Sequence, residues 1–186
     1  VVISLGNLAR LTTLLFGLSS ALVCAGEAPW VLVDTASKTL TVLDRNDKPL
    51  ELFRNISVGR GGVAPLHSKG DKTTPLGSYR ITHIRTSRSF DTFFQLNYPT
   101  PIHAELAFQR GLIDSGTRDA ITRTEETELP PQATALGGEI GIHGVGRGSL
   151  RIHRLYNWTS GCIALTNVQL HRFARWARPG MRVVIR

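Results

Sequence analysis

The sequence predicts a mainly β domain with α elements: a short helical insert and one packed helix. Three observations carry that expectation. Between Trp30 and Asn97, short runs rich in β-branched and aromatic residues alternate with turn-forming clusters. Between Pro101 and Glu128 the apolar spacing turns helical. Near the C-terminus, one amphipathic stretch is framed by a capping signal and a stop signal.

In chain order, "WVLVD" (30–34) and "TLTVLD" (39–44) read as a hairpin joined by "TASK", with "RNDKP" as the next turn. "LELFRNISVG" (50–59) reads as a third strand ending at "GRGG", and "GSYRITHI" (77–84) and "TFFQLN" (92–97) as two more. "PIHAELAFQRGL" (101–112) and "TRDAITRTEETE" (117–128) form the helical insert, which Pro130 and Pro131 end. "LPPQATALGG" (129–138) is a loop, and "EIGIHG" (139–144) returns to strand. Past Cys162, Thr166 and Gln169 fit a capping box, while Leu170, Phe173, Ala174 and Ala177 fall on one helical stripe. Pro179-Gly180 stops that helix and "MRVVIR" (181–186) closes the domain as a strand.

The chain has 186 residues, 41% of them hydrophobic and 19% charged, which suits one folded domain and excludes a disordered polymer. Its first segment differs in character. Arg10 precedes Leu11–Val23, which carry no charge and are too few to span a bilayer but suit the apolar region of an export signal. Val23 and Ala25 stand three residues and one residue before a cut at Gly26. Residues 1–25 are therefore read as a signal peptide and 26–186 as the catalytic domain, with a membrane anchor or a buried helix as the alternatives. Val23 in front of Cys24 argues against a lipid-modified cysteine. Export implies an oxidising, periplasmic setting, with no stable membrane insertion after cleavage.

Removing the leader leaves Cys162 as the single cysteine, so no internal disulfide is possible, and an odd thiol in an exported protein is a crosslink or a reactive group. Cys162 follows Gly161 in a polar turn directly before the apolar run "IAL". Structural cysteines sit inside such runs. A thiol attacks as thiolate and needs a base. Of His67, His83, His103, His143, His153 and His171, the one that stands out is His143, at the end of a strand and followed by Gly144. A base there is fixed yet approachable. Gly161 allows its N–H, together with that of Cys162, to form an oxyanion hole. Thr159 and Ser160 are candidates for orienting the turn or meeting substrate. The segment between base and nucleophile holds Arg147, Arg151 and Arg154, a basic flap suited to substrate carboxylates.

Other chemistries fit poorly. "GRGGVA" (59–64) meets Pro65 where a dinucleotide fold needs a helix. "SKGDKTTPLG" (68–77) breaks the phosphate-loop spacing, since Asp71 separates Gly70 from Lys72. His143, His153 and Cys162 lack the paired spacing of structural zinc, so no metal or cofactor is expected. A formal charge of +8 suits an anionic partner, but no aromatic residues are interleaved with the basic ones as nucleic-acid stacking requires.

Several of these stretches together resemble the L,D-transpeptidase (YkuD-type) catalytic domain family over essentially all of the mature chain. "WVLVDTASKTLTVLD" (30–44) is similar to its opening hairpin and "KTTPLGSYRI" (72–81) to its T-P-x-G-x-[YF]-x-I segment. "IHG" (142–144) and "TSGCIAL" (159–165) match its histidine and cysteine motifs, with His143 nineteen residues before Cys162. "LNYPTP", "ALGGEIGIHG" and "NWTSGCIALTN" resemble its YafK-like branch most. The resemblance implies an L,D-transpeptidase-like β-sandwich, with Cys162 as nucleophile, His143 as base and the Gly144 carbonyl holding the other ring nitrogen. It further implies that Cys162 forms a thioester with the third residue of a peptidoglycan stem peptide, expelling D-alanine and passing the acyl group to an amine of a second stem peptide or of a wall-linked lipoprotein. A hydrolase on the same residues, and a non-catalytic wall-binding protein, are the alternatives. Two departures stand out: Ser160 replaces the family's usual histidine or arginine, and Ala164 its usual arginine, so the flap arginines are left to hold the substrate carboxylate.

Overall fold

The hairpin expected at the front of the domain is present in the computed structural model, which describes Val1 and residues 28–186. The expected signal peptide lies outside the described residues. Strands β1 (Trp30–Asp34) and β2 (Thr39–Leu43) pair antiparallel, and their alternation sends Val31, Val33, Leu40 and Val42 fully inward. Asp34 Oδ1 accepts the Ser37 N–H at 2.8 Å, which shapes the turn between them. Strand β3 (Pro49–Arg54) follows. It is shorter than expected, because Asn55 takes φ +57° and breaks the ladder.

The chain then makes the small parallel pair β4 (Val63–Ala64) and β5 (Thr74–Pro75) before the long β6 (Gly77–Ser87) and β7 (Asp91–Leu96). The helical insert is α1 (Pro101–Gln109) and α2 (Ser115–Thr122). The Asp114 side chain caps α2 by accepting the Thr117 N–H. This helix stops at Thr122, well short of Pro130, so the prolines shape the following loop rather than end the helix. Strand β8 (Gly141–Gly144) returns to the sheet. The segment read as a plain basic flap contains a helix, α3 (Leu150–Leu155), capped by Ser149. It escaped the periodicity because its apolar residues face outward and make no buried stripe. Then come β9 (Ile163–Leu165), α4 (Asn167–Phe173), whose capping box of Thr166 and Gln169 is formed as expected, and β10 (Arg182–Ile185).

Eight strands make one sheet in the order β3-β2-β1-β10-β6-β7-β8-β9, with β1–β10 and β8–β9 the parallel pairs. Strand β6 is shared: Gly77–Arg80 pair with β10, while Ile81–Ser87 pair with β7. The two edges meet, because Ser57, just past β3, exchanges both backbone hydrogen bonds with Ala164 of β9 at 3.0 and 2.7 Å. The two halves thus enclose one core containing Val31, Leu40, Phe53, Phe94, Ile142, Ile163 and Leu165. Phe173 of α4 fills it, edge-on to Phe53 (6.3 Å) and Phe94 (5.1 Å), and its removal would cost about 3–5 kcal/mol. This is the mainly β sandwich with helical insert and packed helix that the sequence predicts. No helix among the described residues is long and apolar enough to cross a membrane.

Candidate active site

Strands β8 and β9 run side by side and parallel, with Ile142 opposite Ile163 and His143 opposite Ala164. Side chains alternate along a strand, so residues two apart share a face. His143 stands opposite Ala164 of β9, and Cys162 precedes Ala164 by two residues, one step ahead of the strand.

His143 is buried, and its Nδ1 bonds the Gly144 carbonyl oxygen at 2.7 Å. A neutral imidazole donates there from Nδ1, which leaves Nε2 as the acceptor. Nε2 has no hydrogen bond among the described residues. Phe90 (4.1 Å between ring centroids), Phe93 (6.0 Å) and Trp158 (5.7 Å) surround the ring. Burial lowers its pKa below 6.5; the Gly144 carbonyl works against that shift and the charge of His153 adds to it. Gly144 also has a steric reason: a Cβ there would stand 2.7 Å from Asn167 Oδ1, the atom that accepts the Gly146 N–H.

Cys162 is half-buried, and its thiol donates to the Glu139 carbonyl oxygen at 3.2 Å. Burial pushes the thiol up to about 12; the Gly141 N–H and the charge of Arg85 pull it down, and that of Glu139 pushes it up. Both shifts favour the uncharged forms, thiol and neutral imidazole.

The turn that carries the thiol is fixed by hydroxyl groups. Thr159, buried, donates to the Cys162 carbonyl at 2.6 Å and accepts the Gly161 N–H at 3.2 Å. Thr74 donates to the Gly161 carbonyl at 2.8 Å and accepts the Gly59 N–H at 2.8 Å. Gly161 has φ +133°, and a Cβ on it would stand 2.8 Å from both Ile140 Cδ1 and the Thr73 carbonyl oxygen. Only glycine fits. His67 stands against the same residue. Its Nδ1 lies 2.8 Å from both Asp71 Oδ1 and the Thr73 carbonyl oxygen.

Of the expected site residues, Thr159 is engaged inside the turn by its bonds to the Cys162 carbonyl and the Gly161 N–H. Arg147, Arg151 and Arg154 are exposed and make no ion pair among the described residues; the guanidinium whose charge reaches Cys162 is that of Arg85, which pairs with Glu139 and covers the Phe93 ring at 4.5 Å. Ser160 is exposed beside the thiol turn. Sequence reasoning missed Arg85, Glu139, His67 and the aromatic wall of His143. Thr74 lay in a quoted motif, but nothing local showed its bond to Gly161. The described residues contain no cluster of three or more potential metal ligands.

Comparison with known proteins adds the following. A family model described as the L,D-transpeptidase catalytic domain (YkuD) matches residues 28–185. Among solved structures, the helical cell shape determining protein Pgp2 from Campylobacter jejuni is similar with a TM-score of 0.57 and 22% identity, over 85% of this chain and 47% of that one. Bdellovibrio bacteriovorus Bd1075 gives a TM-score of 0.53 and 18% identity, over 85% of this chain and 47% of that one. An L,D-transpeptidase from Mycobacterium smegmatis gives 0.50 and 12%, over 85% and 58%. At these identities the likeness is one of fold, and the chain spans about half the length of the first two structures. No curated protein matches the chain by sequence.

Proposed function

The chain belongs to the L,D-transpeptidase catalytic-domain family, and from that premise we propose that it is an exported peptidoglycan-remodelling enzyme working through a Cys162 thioester. The features that support this reading are the parallel pairing that sets His143 opposite Ala164, two residues past Cys162, and the Nδ1 bond to Gly144 that leaves Nε2 to accept a proton. Residues 1–25 serve as its export signal, which places it in the periplasm.

The thiol first leaves the Glu139 carbonyl and turns to His143. Nε2 takes the proton as Sγ adds to the carbonyl carbon of the third stem residue. The Cys162 N–H stabilises the oxyanion, and the Gly141 N–H supports the charge on sulfur. Collapse breaks the C–N bond, and the imidazolium returns its proton to the departing D-alanine amine, leaving a thioester. An amine of a second stem peptide, or of a wall-linked lipoprotein, then adds while His143 takes its proton, and sulfur leaves as the thiol. Acyl energy is kept in the thioester, so these steps need neither nucleotide nor metal. Arg85 exchanges Glu139 for the substrate carboxylate, a role first assigned to the flap.

Incubation with purified tetrapeptide muropeptides and mass analysis tests the reading. Cross-linked dimers are expected, and shortened monomers alone would make the enzyme a hydrolase on the same residues. Cys162→Ala should reduce turnover to background while the thermal midpoint stays within a few degrees. Turnover that persists in Cys162→Ala, or wall binding with no turnover in the natural chain, would defeat the thioester mechanism.

A further inference from the structure

We propose that the outer face of α3 is a docking surface for an anionic lipid bilayer. The helix has six residues and buries one side chain, His153. Leu150 (48% exposed), Ile152 (50%), Leu155 (58%) and Tyr156 (63%) all face solvent. Single exposed aliphatic residues are ordinary on a folded surface; four exposed apolar side chains within seven positions, three of them (Ile152, Leu155 and Tyr156) on one side of the helix, are a concentration of the kind that marks interaction sites.

Charge selects the occupant. Arg147, Arg151 and Arg154 alternate with these apolar side chains and are exposed without an ion pair among the described residues. Some arginines elsewhere are partnered, Arg80 by Glu126, Arg118 by Asp119, Arg172 by Glu51 and Arg186 by Asp34, whereas these three keep their charge free among the described residues. Residues 140–186 contain eight arginines and not one Asp or Glu. Guanidinium groups fork onto phosphate oxygens, long cationic side chains lay their stems along apolar surface, and tyrosine settles at the headgroup level. Aliphatic side chains offer nothing to sugar hydroxyls, which argues against a glycan strand. A helix this short supplies too little surface for the roughly 800 Å² that each partner of a stable protein pair buries. Insertion into the headgroup boundary needs no matching shape.

The anchoring of the helix fits this use. Trp158 Nε1–H donates to His153 Nδ1 at 3.2 Å, and Trp158 in turn packs on His143. The helix is thereby tied through its one inward side chain to Trp158 and so to His143, while its outer face is exposed. Docking there holds His143 beside the bilayer surface.

Hydrogen exchange of the full chain, read by mass spectrometry with phosphatidylcholine vesicles and with vesicles that also contain phosphatidylglycerol, tests the proposal. Exchange across 147–156 should slow with the anionic vesicles alone. The triple variant R147Q/R151Q/R154Q and the double variant L150S/L155S, all at exposed positions, should each weaken vesicle binding by about tenfold or more. Unchanged exchange across 147–156, equal slowing on zwitterionic vesicles, or slowing confined to residues before 28 would overturn it. A photo-crosslinking residue at Leu155, used with cell envelopes, should label lipid; labelling of a polypeptide instead would give the face to a protein partner and also overturn the proposal. These measurements read occupancy of a membrane rather than turnover, so they fail or succeed apart from the thioester mechanism.

Discussion

The turn 159–162 and the flap 145–156 are close neighbours in sequence, yet they are held in different ways. In the turn, backbone groups of Thr159, Gly161 and Cys162 are tied by the hydroxyls of Thr159 and Thr74, and glycine fills a position with no room for a Cβ. In the flap, α3 turns one buried histidine inward, whose Nε2 has no partner among the described residues, while the flanking backbone is held by Asn167 at Gly146 and by the Ser57 hydroxyl at Tyr156. An unpartnered buried N–H costs on the order of 1–3 kcal/mol.

That contrast can be broken most severely at Gly161. Gly161→Ala forces a Cβ against Ile140 and the Thr73 carbonyl at positive φ, and should destabilise by about 3 kcal/mol or more in urea unfolding. A variant as stable as the parent would show that the turn yields as easily as the flap. Thr159→Val keeps the shape but leaves the Gly161 N–H without its acceptor. It should cost about 2 kcal/mol and about a hundredfold in muropeptide turnover through misplacement of Cys162. A loss of stability with turnover intact would confine Thr159 to folding.

The pH profile sharpens the comparison next. His143 acts as a base only when neutral, and burial lowers its pKa below 6.5. Turnover should therefore be full above 6.5 and fall as pH drops through the lowered value. An acid limb at or above 6.5 would contradict the dry aromatic setting of the ring. With Cys162 near 12, alkylation by iodoacetamide should be slow at neutral pH and keep rising well above pH 9. The smallest effect belongs to the flap: Leu155→Ser should change global stability by no more than about 0.5 kcal/mol, because the side chain is already in water. A larger loss would mean that the flap is packed after all.

What the sequence by itself determined is local. Alternation in "WVLVD" and "TLTVLD" set the inward faces of the first hairpin, the Thr166–Gln169 box set the start of α4, and His-Gly at a strand end and Gly-Cys at a turn marked the two candidate groups. Each pattern follows from backbone geometry over a few residues, so it can be read without knowing the fold. The tertiary structure alone decided which distant groups meet. Thr74 bonds Gly161 across 87 positions, Arg85 reaches Glu139 across 54, and the flap arginines, nearer to Cys162 in sequence, turn away from it. Those partnerships depend on the order of strands in the sheet and on the meeting of its two edges. No single segment's periodicity encodes that order, because it arises only when all the segments share one core.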